Sequence, residues 1–172
     1  MRGSVLVAGV GNIFLGDDGF GVEVARRLSA EQLPHNVRVA DYGIRGVHLA
    51  YQLLDGYDTL IMVDAVSRGE PPGTVFVIEP DLGLETPLDG VPPARDPLMD
   101  AHDLDPASVL GLVRHLGGRI DRVLVVGCEP QRTDERIGLS EPVQRAVDEA
   151  TRLVRELLDG SRQSEMSSKG GS

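Results

Sequence analysis

Short apolar runs alternate with amphipathic stretches along most of the chain, the pattern of strands separated by helices. Val5–Val10 is β-prone, uncharged and ends among Gly9 and Gly11, as a buried strand does. After the loop Asn12–Gly19, Val22, Val24, Ala25 and Leu28 fall at helical spacing, with Glu23, Arg26 and Arg27 on the wetter side. Val37–Ala40 predicts a second strand closing at Asp41. Gly46–Leu54 predicts a helix, and Thr59–Val63 the most apolar strand, closing at Asp64. Pro71-Pro72-Gly73 marks a turn into a further strand, Thr74–Ile78. Glu79–Pro97 is rich in Pro, Gly and Asp without periodicity, and reads as a long surface loop of the kind that is uncommon unless functional. Asp105 is placed to cap a helix whose first turn holds Pro106, with Val109, Leu112, Val113 and Leu116 as its apolar face. Arg122–Val126 predicts the last strand, and Ser140 opens a final helix running to about Leu158. From Gly160 the chain turns to Ser, Gly and Gln, and residues 160–172 are expected to form a frayed, flexible tail.

Strands alternating with helices imply an α/β fold: one domain, a three-layer α/β/α sandwich around a mostly parallel, twisted sheet of about five strands. At 172 residues the chain suits a single core, and no repeat or second hydrophobic centre appears. Aromatics make up only 3% and Trp is absent, so Val, Leu, Ile and Ala must fill the interior, as they do in buried parallel sheets.

Charge narrows the partners. The formal net charge is −10, which disfavours nucleic acid and anionic membrane surfaces. No apolar run approaches the ~20 residues of a spanning helix, and the opening segment does not read as a secretory signal. The single Cys128 excludes an internal disulfide and suits a reducing cytoplasm, where the protein is expected.

In a sheet of this kind ligands gather beyond the carboxyl ends of the strands. Acids stand there repeatedly: Asp17 and Asp18 after the first strand, Asp41 after the second, Asp64 after the third. Any one of them can be a helix cap. Acids at three successive strand ends repel one another, and without a cation that repulsion costs stability. His102, in "PLMDAHDLDP", adds an imidazole. Two carboxylates and an imidazole suit an open site for a divalent transition ion, whereas one cysteine rules out a closed structural zinc site. His35, His48 and His115 read as surface or filler.

Other chemistries lack their parts. "GVGNIFLGDDGFG" spaces its glycines G-x-G-x-x-x-x-G, so the dinucleotide fingerprint is mismatched. Lys169 is the only lysine, which removes both a P-loop and a phospho-receiver. H-E-x-x-H and G-x-S-x-G are both missing. Cys128 in "VVGCEP" reads as a small buried hydrophobe rather than a nucleophile.

The motifs, taken together, resemble the hydrogenase maturation endopeptidases. "VLVAGVGNIFLGDDGFGVEVARRL" is similar to that family's strand–GxGN–helix opening, and "VADYGIRGVHLAYQLLDGYDTLIMVDAV" to its Asp-x-Gly segment and following strand ending in Asp-Ala. "PGTVFVIE", "MDAHDLDPASVL", "VLVVGCEP" and "IGLSEPV" follow in the family's order, from about Val5 to Leu158. Tyr42 and Ile44-Arg45 depart from it where many members carry Gly and Thr.

The resemblance implies a peptidase domain over 1–159. It implies an aspartyl-type endopeptidase that removes a short C-terminal extension from the nickel-loaded precursor of a [NiFe] hydrogenase large subunit. Asp18, Asp64 and His102 are then the metal-binding set, with nickel carried in by the substrate, replaceable by other divalent ions, and used for recognition. Asp18 and Asp64 are also the candidate catalytic acids, and Asp41 and Gly43 the substrate-binding pair. Two mechanisms stand open: the shared metal polarises the carbonyl or water with Asp18 or Asp64 as base, or it only anchors the substrate while a free carboxylate activates water. A non-enzymatic metal- or nucleotide-binding flavodoxin-like module is the alternative.

Overall fold

In the computed structural model, residues 3–80 and 106–169 are described. Five strands, β1 (Val5–Val10), β2 (Val37–Gly43), β3 (Thr59–Ala65), β4 (Val75–Ile78) and β5 (Arg122–Cys128), form one sheet in the order β2-β1-β3-β5-β4. The first three pairings are parallel, and only β4 runs antiparallel, at the edge beside β5. Four α-helices accompany them: α1 (Phe20–Ser29), α2 (Gly46–Leu53), α3 (Pro106–His115) and α4 (Glu141–Lys169). The α/β sandwich expected from the alternation is the one observed.

Alternation along the strands divides the core. Leu6, Ala8 and Val10 of β1 point to one face, where Leu49 and Leu53 of α2 and Val109, Leu112 and Val113 of α3 cover them. Val5 and Val7 point to the other, against Phe20, Val24 and Leu28 of α1 and Val143, Val147, Ala150 and Val154 of α4. Both faces are therefore dry, and β1 is buried along its whole length. The α1–α4 layer also carries the surface ion pairs Arg27–Asp148 and Arg155–Glu31. Exposed pairs of this kind contribute ~0–1 kcal/mol, so the apolar seam dominates that contact.

Four element ends lie beyond expectation. β2, β3 and β5 run on past their apolar stretches, so Asp41 and Asp64 lie inside the last residues of their strands rather than after them. The ladder is the reason: Asp64 pairs with Gly127 and Ala65 with Cys128, and backbone pairing does not require an apolar side chain. The final helix continues to Lys169, beyond the end near Leu158 that the apolar stripe suggested. Once a helix is nucleated, adding a residue needs no buried face. The long loop of the sequence reading, together with Asp105 and His102, falls largely or wholly outside the described residues.

Because β1 is central and fully covered, Leu6→Ala is expected to cost ~2–5 kcal/mol through lost burial and the cavity left behind. Val77→Ala, on the half-exposed edge strand, should stay within about 0.5 kcal/mol. Urea unfolding midpoints of the two variants check both.

Candidate active site

The loop leaving β1 brings two adjacent acids into opposite environments. It passes through a single 3-10 turn, Gly16–Gly19, directly before α1. Asp17 is fully buried and turns toward the segment that follows β5. Its carboxylate accepts hydrogen bonds from the amides of Gln131 (2.7 Å), Arg132 (2.9 Å) and Ser140 (2.6 Å) and from the Ser140 hydroxyl (2.8 Å). Burial by itself would raise its pKa. The hydrogen bonds outweigh burial and hold the carboxyl below its ordinary value. Asp17 is thus a structural clamp between the β1 loop and the segment leading into α4.

Asp18, the next residue, is only partly buried and faces the strand ends. Its Oδ2 accepts the Asn12 amide at 2.8 Å, closing the loop on itself, while the Asn12 side chain accepts the Phe14 amide at 2.9 Å. Gly11 makes this closure possible. Its φ is +128°, a region open chiefly to glycine, and a Cβ there would clash with the Asp18 carbonyl and stand 3.5 Å from Asp64 Oδ1. Gly21 does the same one turn later: a side chain would strike the carbonyls of Val10 and Val63, so α1 packs directly on the ends of β1 and β3.

Asp64 completes the pair. Its Oδ1 accepts the neighbouring Ala65 amide at 2.8 Å. Burial, followed by the negative charge of Asp18, pushes its carboxyl up to about 8, with the Ala65 bond opposing. Among the described residues, nothing donates a hydrogen bond to Asp18 Oδ1 or to Asp64 Oδ2. Two neighbouring carboxylates, each with one oxygen unbonded among the described residues, and one of them resisting ionisation through burial and then through the other's charge, form the charge pattern that a cation would relieve. Among the described residues no group of three or more His, Cys, Asp and Glu side chains gathers as a metal site, and His102 lies outside those residues.

Asp41 and Gly43 sit on the neighbouring edge strand. The Gly43 carbonyl accepts the Gly11 amide at 2.9 Å. Asp41 is exposed and opens onto a cavity of about 520 Å³ shared with Tyr42, Arg45, His48 and Tyr51 along α2. The Tyr42 hydroxyl there is buried with no partner among the described residues, and burial pushes it up to about 12. Cys128 is fully buried in the α1–α4 core, and burial, with the charge of Asp17 next, pushes its thiol up to about 12. A thiol so enclosed and held protonated is poorly placed to act as a nucleophile.

Sequence reasoning did not find the roles of Gly11, Asn12 and Asp17, nor that of Glu129, a buried carboxylate that accepts the Arg68 amide at 2.6 Å. A usable signal existed for the first three. Two adjacent acids in one tight turn cannot face the same way, and glycine before asparagine marks a close turn.

The two perturbed acids give opposite pH dependences in metal-free protein. Asp17 is depressed, so its stabilisation is present above its ordinary value of 3.8 and is lost as pH falls through its lowered one. Asp17→Asn should therefore cost at least about 3 kcal/mol at pH 7, with the deficit shrinking below pH ~4. Asp64 is raised from 3.8 to about 8, so its favourable contribution is complete below pH ~4 and disappears as pH climbs through 8. Asp64→Asn should melt above the parent protein at pH 8–9 and with it near pH 4. Thermal melts in chelator across that range test both.

This geometry has close relatives. The model of the HycI hydrogenase maturation protease family matches residues 22–157. The hydrogenase 2 maturation protease of Escherichia coli is 31% identical over 152 residues, covering 87% of each chain. The hydrogenase expression/formation protein HupD of Rhizobium leguminosarum is 33% identical over 157 residues, covering 88% of this chain and 74% of its own. Among solved structures, the hydrogenase maturating endopeptidase HybD from E. coli superposes with a TM-score of 0.73 at 31% identity, covering 92% of this chain and 93% of its own. A chain with this sheet, this acid pair and these relatives belongs to the hydrogenase maturation protease family, and it is an endopeptidase of hydrogenase maturation.

Proposed function

We propose that the chain cuts a C-terminal extension from the nickel-loaded precursor of a [NiFe] hydrogenase large subunit, and that the nickel is read by Asp18, Asp64 and His102. The pairing of Asp18 with Asp64 carries this reading. Among the described residues each keeps an oxygen unbonded, and Asp64 is raised to about 8 by burial and then by its partner's charge. A metal presented by the substrate neutralises that repulsion, so binding energy is gained only when the precursor is loaded. An apo precursor lacks it and is not held.

The chain's own groups supply the rest. The Asn12 amide fixes one Asp18 oxygen and the Ala65 amide one Asp64 oxygen, leaving the remaining pair aimed without free rotation. Asp64, whose carboxyl sits near neutrality, is the better suited of the two to take a proton from water at the scissile bond. Asp41 and Gly43, on the strand beside Gly11, are assigned to the substrate segment next to that bond. Among the described residues no helix is long and apolar enough to cross a membrane. The lone buried Cys128 and the net charge of −10 support a cytoplasmic setting without nucleic-acid partners.

Incubation with nickel-loaded and nickel-free precursor, read by mass spectrometry, tests the proposal. Only the loaded form should shorten, and equal cutting of both overturns nickel recognition. Asp64→Asn is expected to lower kcat by ~10²–10⁴-fold if Asp64 is the base. A normal kcat with a raised KM would instead make Asp64 an anchor. His102→Ala should weaken precursor binding, and unchanged binding removes it from the metal set.

A further inference from the structure

Six large apolar side chains stand exposed among the described residues, and three of them crown the end of the sheet where the acids lie. Phe14 (60% exposed) is in the loop after β1, Ile44 (57%) follows β2, and Ile137 (78%) is in the segment after β5. In the strand order β2-β1-β3-β5, these positions flank Asp18 and Asp64 from both sides. Tyr51, Val77 and Leu116 are scattered singly elsewhere, as is ordinary for a protein surface.

Phe14 and Ile137 are not on loose loops. The Arg136 amide donates to the Phe14 carbonyl at 2.9 Å and the Gly16 amide to the Arg136 carbonyl at 2.8 Å, a short parallel bridge between the two segments. Asp17 clamps both ends of the same segment through Gln131, Arg132 and Ser140. A cavity of about 230 Å³ beside Ile137 is lined by the apolar Ile13, Ile137 and Leu139 and by the polar Glu23, Arg26 and Gln144. A rigidly held apolar ledge next to a notch large enough for a side chain is the anatomy of a protein-docking surface.

We propose that Phe14 and Ile137, with the notch beside them, form a docking ledge for the hydrogenase large-subunit precursor, an apolar side chain of which enters the notch. This rests on the reading of the acid pair as the cutting site. The occupant follows from position. Phe14 belongs to the loop that Asn12 and Asp18 close, so a polypeptide whose bond reaches Asp18 and Asp64 has to pass over or beside that loop. The ledge is apolar while the chain as a whole is strongly acidic, so docking there draws on burial rather than charge and survives added salt.

Steady-state cutting of nickel-loaded precursor at low and high salt tests this, using Phe14→Ser with Ile137→Ser. Leu116→Ser, at the opposite end of the parallel strands, is the control. The double variant should raise KM roughly ten- to a hundredfold with little change in kcat, at either salt concentration, while the control stays within about twofold. Ile137→Ser alone, at a position too exposed to affect folding, should raise KM at least about threefold. Unchanged KM in these variants, or an equal rise in the control, overturns the ledge while leaving the cutting site intact. Failure of the unmodified enzyme to shorten the precursor removes the reading beneath it.

Discussion

The arrangement of this active end depends on one buried carboxylate. Asp17 gathers four hydrogen bonds from a segment more than a hundred residues away in sequence, and in doing so ties the loop after β1 to the approach to α4. A charge so deeply placed is tolerable only because every donor it faces is fixed in the fold. Without the clamp, the loop that carries Asp18 keeps only its own Asn12 closure and the short Leu15–Arg136 bridge to hold it in place. Ser140 shows how far the commitment goes: standing just before α4, it spends both its amide and its hydroxyl on Asp17 instead of capping its own helix.

The same end of the sheet holds two acids of opposite character with identical side chains. Asp17 is held ionised by hydrogen bonds, while Asp64 is held back from ionising by burial and by Asp18. Separation of this kind is how a single scaffold keeps one carboxylate structural and another chemically poised. Gly11 and Gly21 set the spacing. A side chain at Gly11 would strike the Asp18 carbonyl, and one at Gly21 the carbonyls of Val10 and Val63.

Most of the architecture could be read from the chain. Val5–Val10 and Thr59–Val63 announce buried parallel strands because an apolar, β-branched run flanked by helical periodicity has few other solutions. The strand ends were less legible. Pairing of Asp64 with Gly127 extends β3 through a polar residue, and that pairing is a property of the neighbouring strand, not of the residue. At the site, the position of Asp18 and Asp64 at adjacent strand ends was visible, since topology alone brings them together. The partners of Asp17 were not, because Gln131, Arg132 and Ser140 carry no local mark of facing it.

Cys128 lies at the end of β5, beside the working end of the molecule, yet its thiol is sealed inside the α1–α4 core and pushed up to about 12. Thiol–disulfide exchange and metal capture both begin with an accessible thiolate. Sealed in this way, Cys128 is withheld from both reactions although its strand ends where the acids stand.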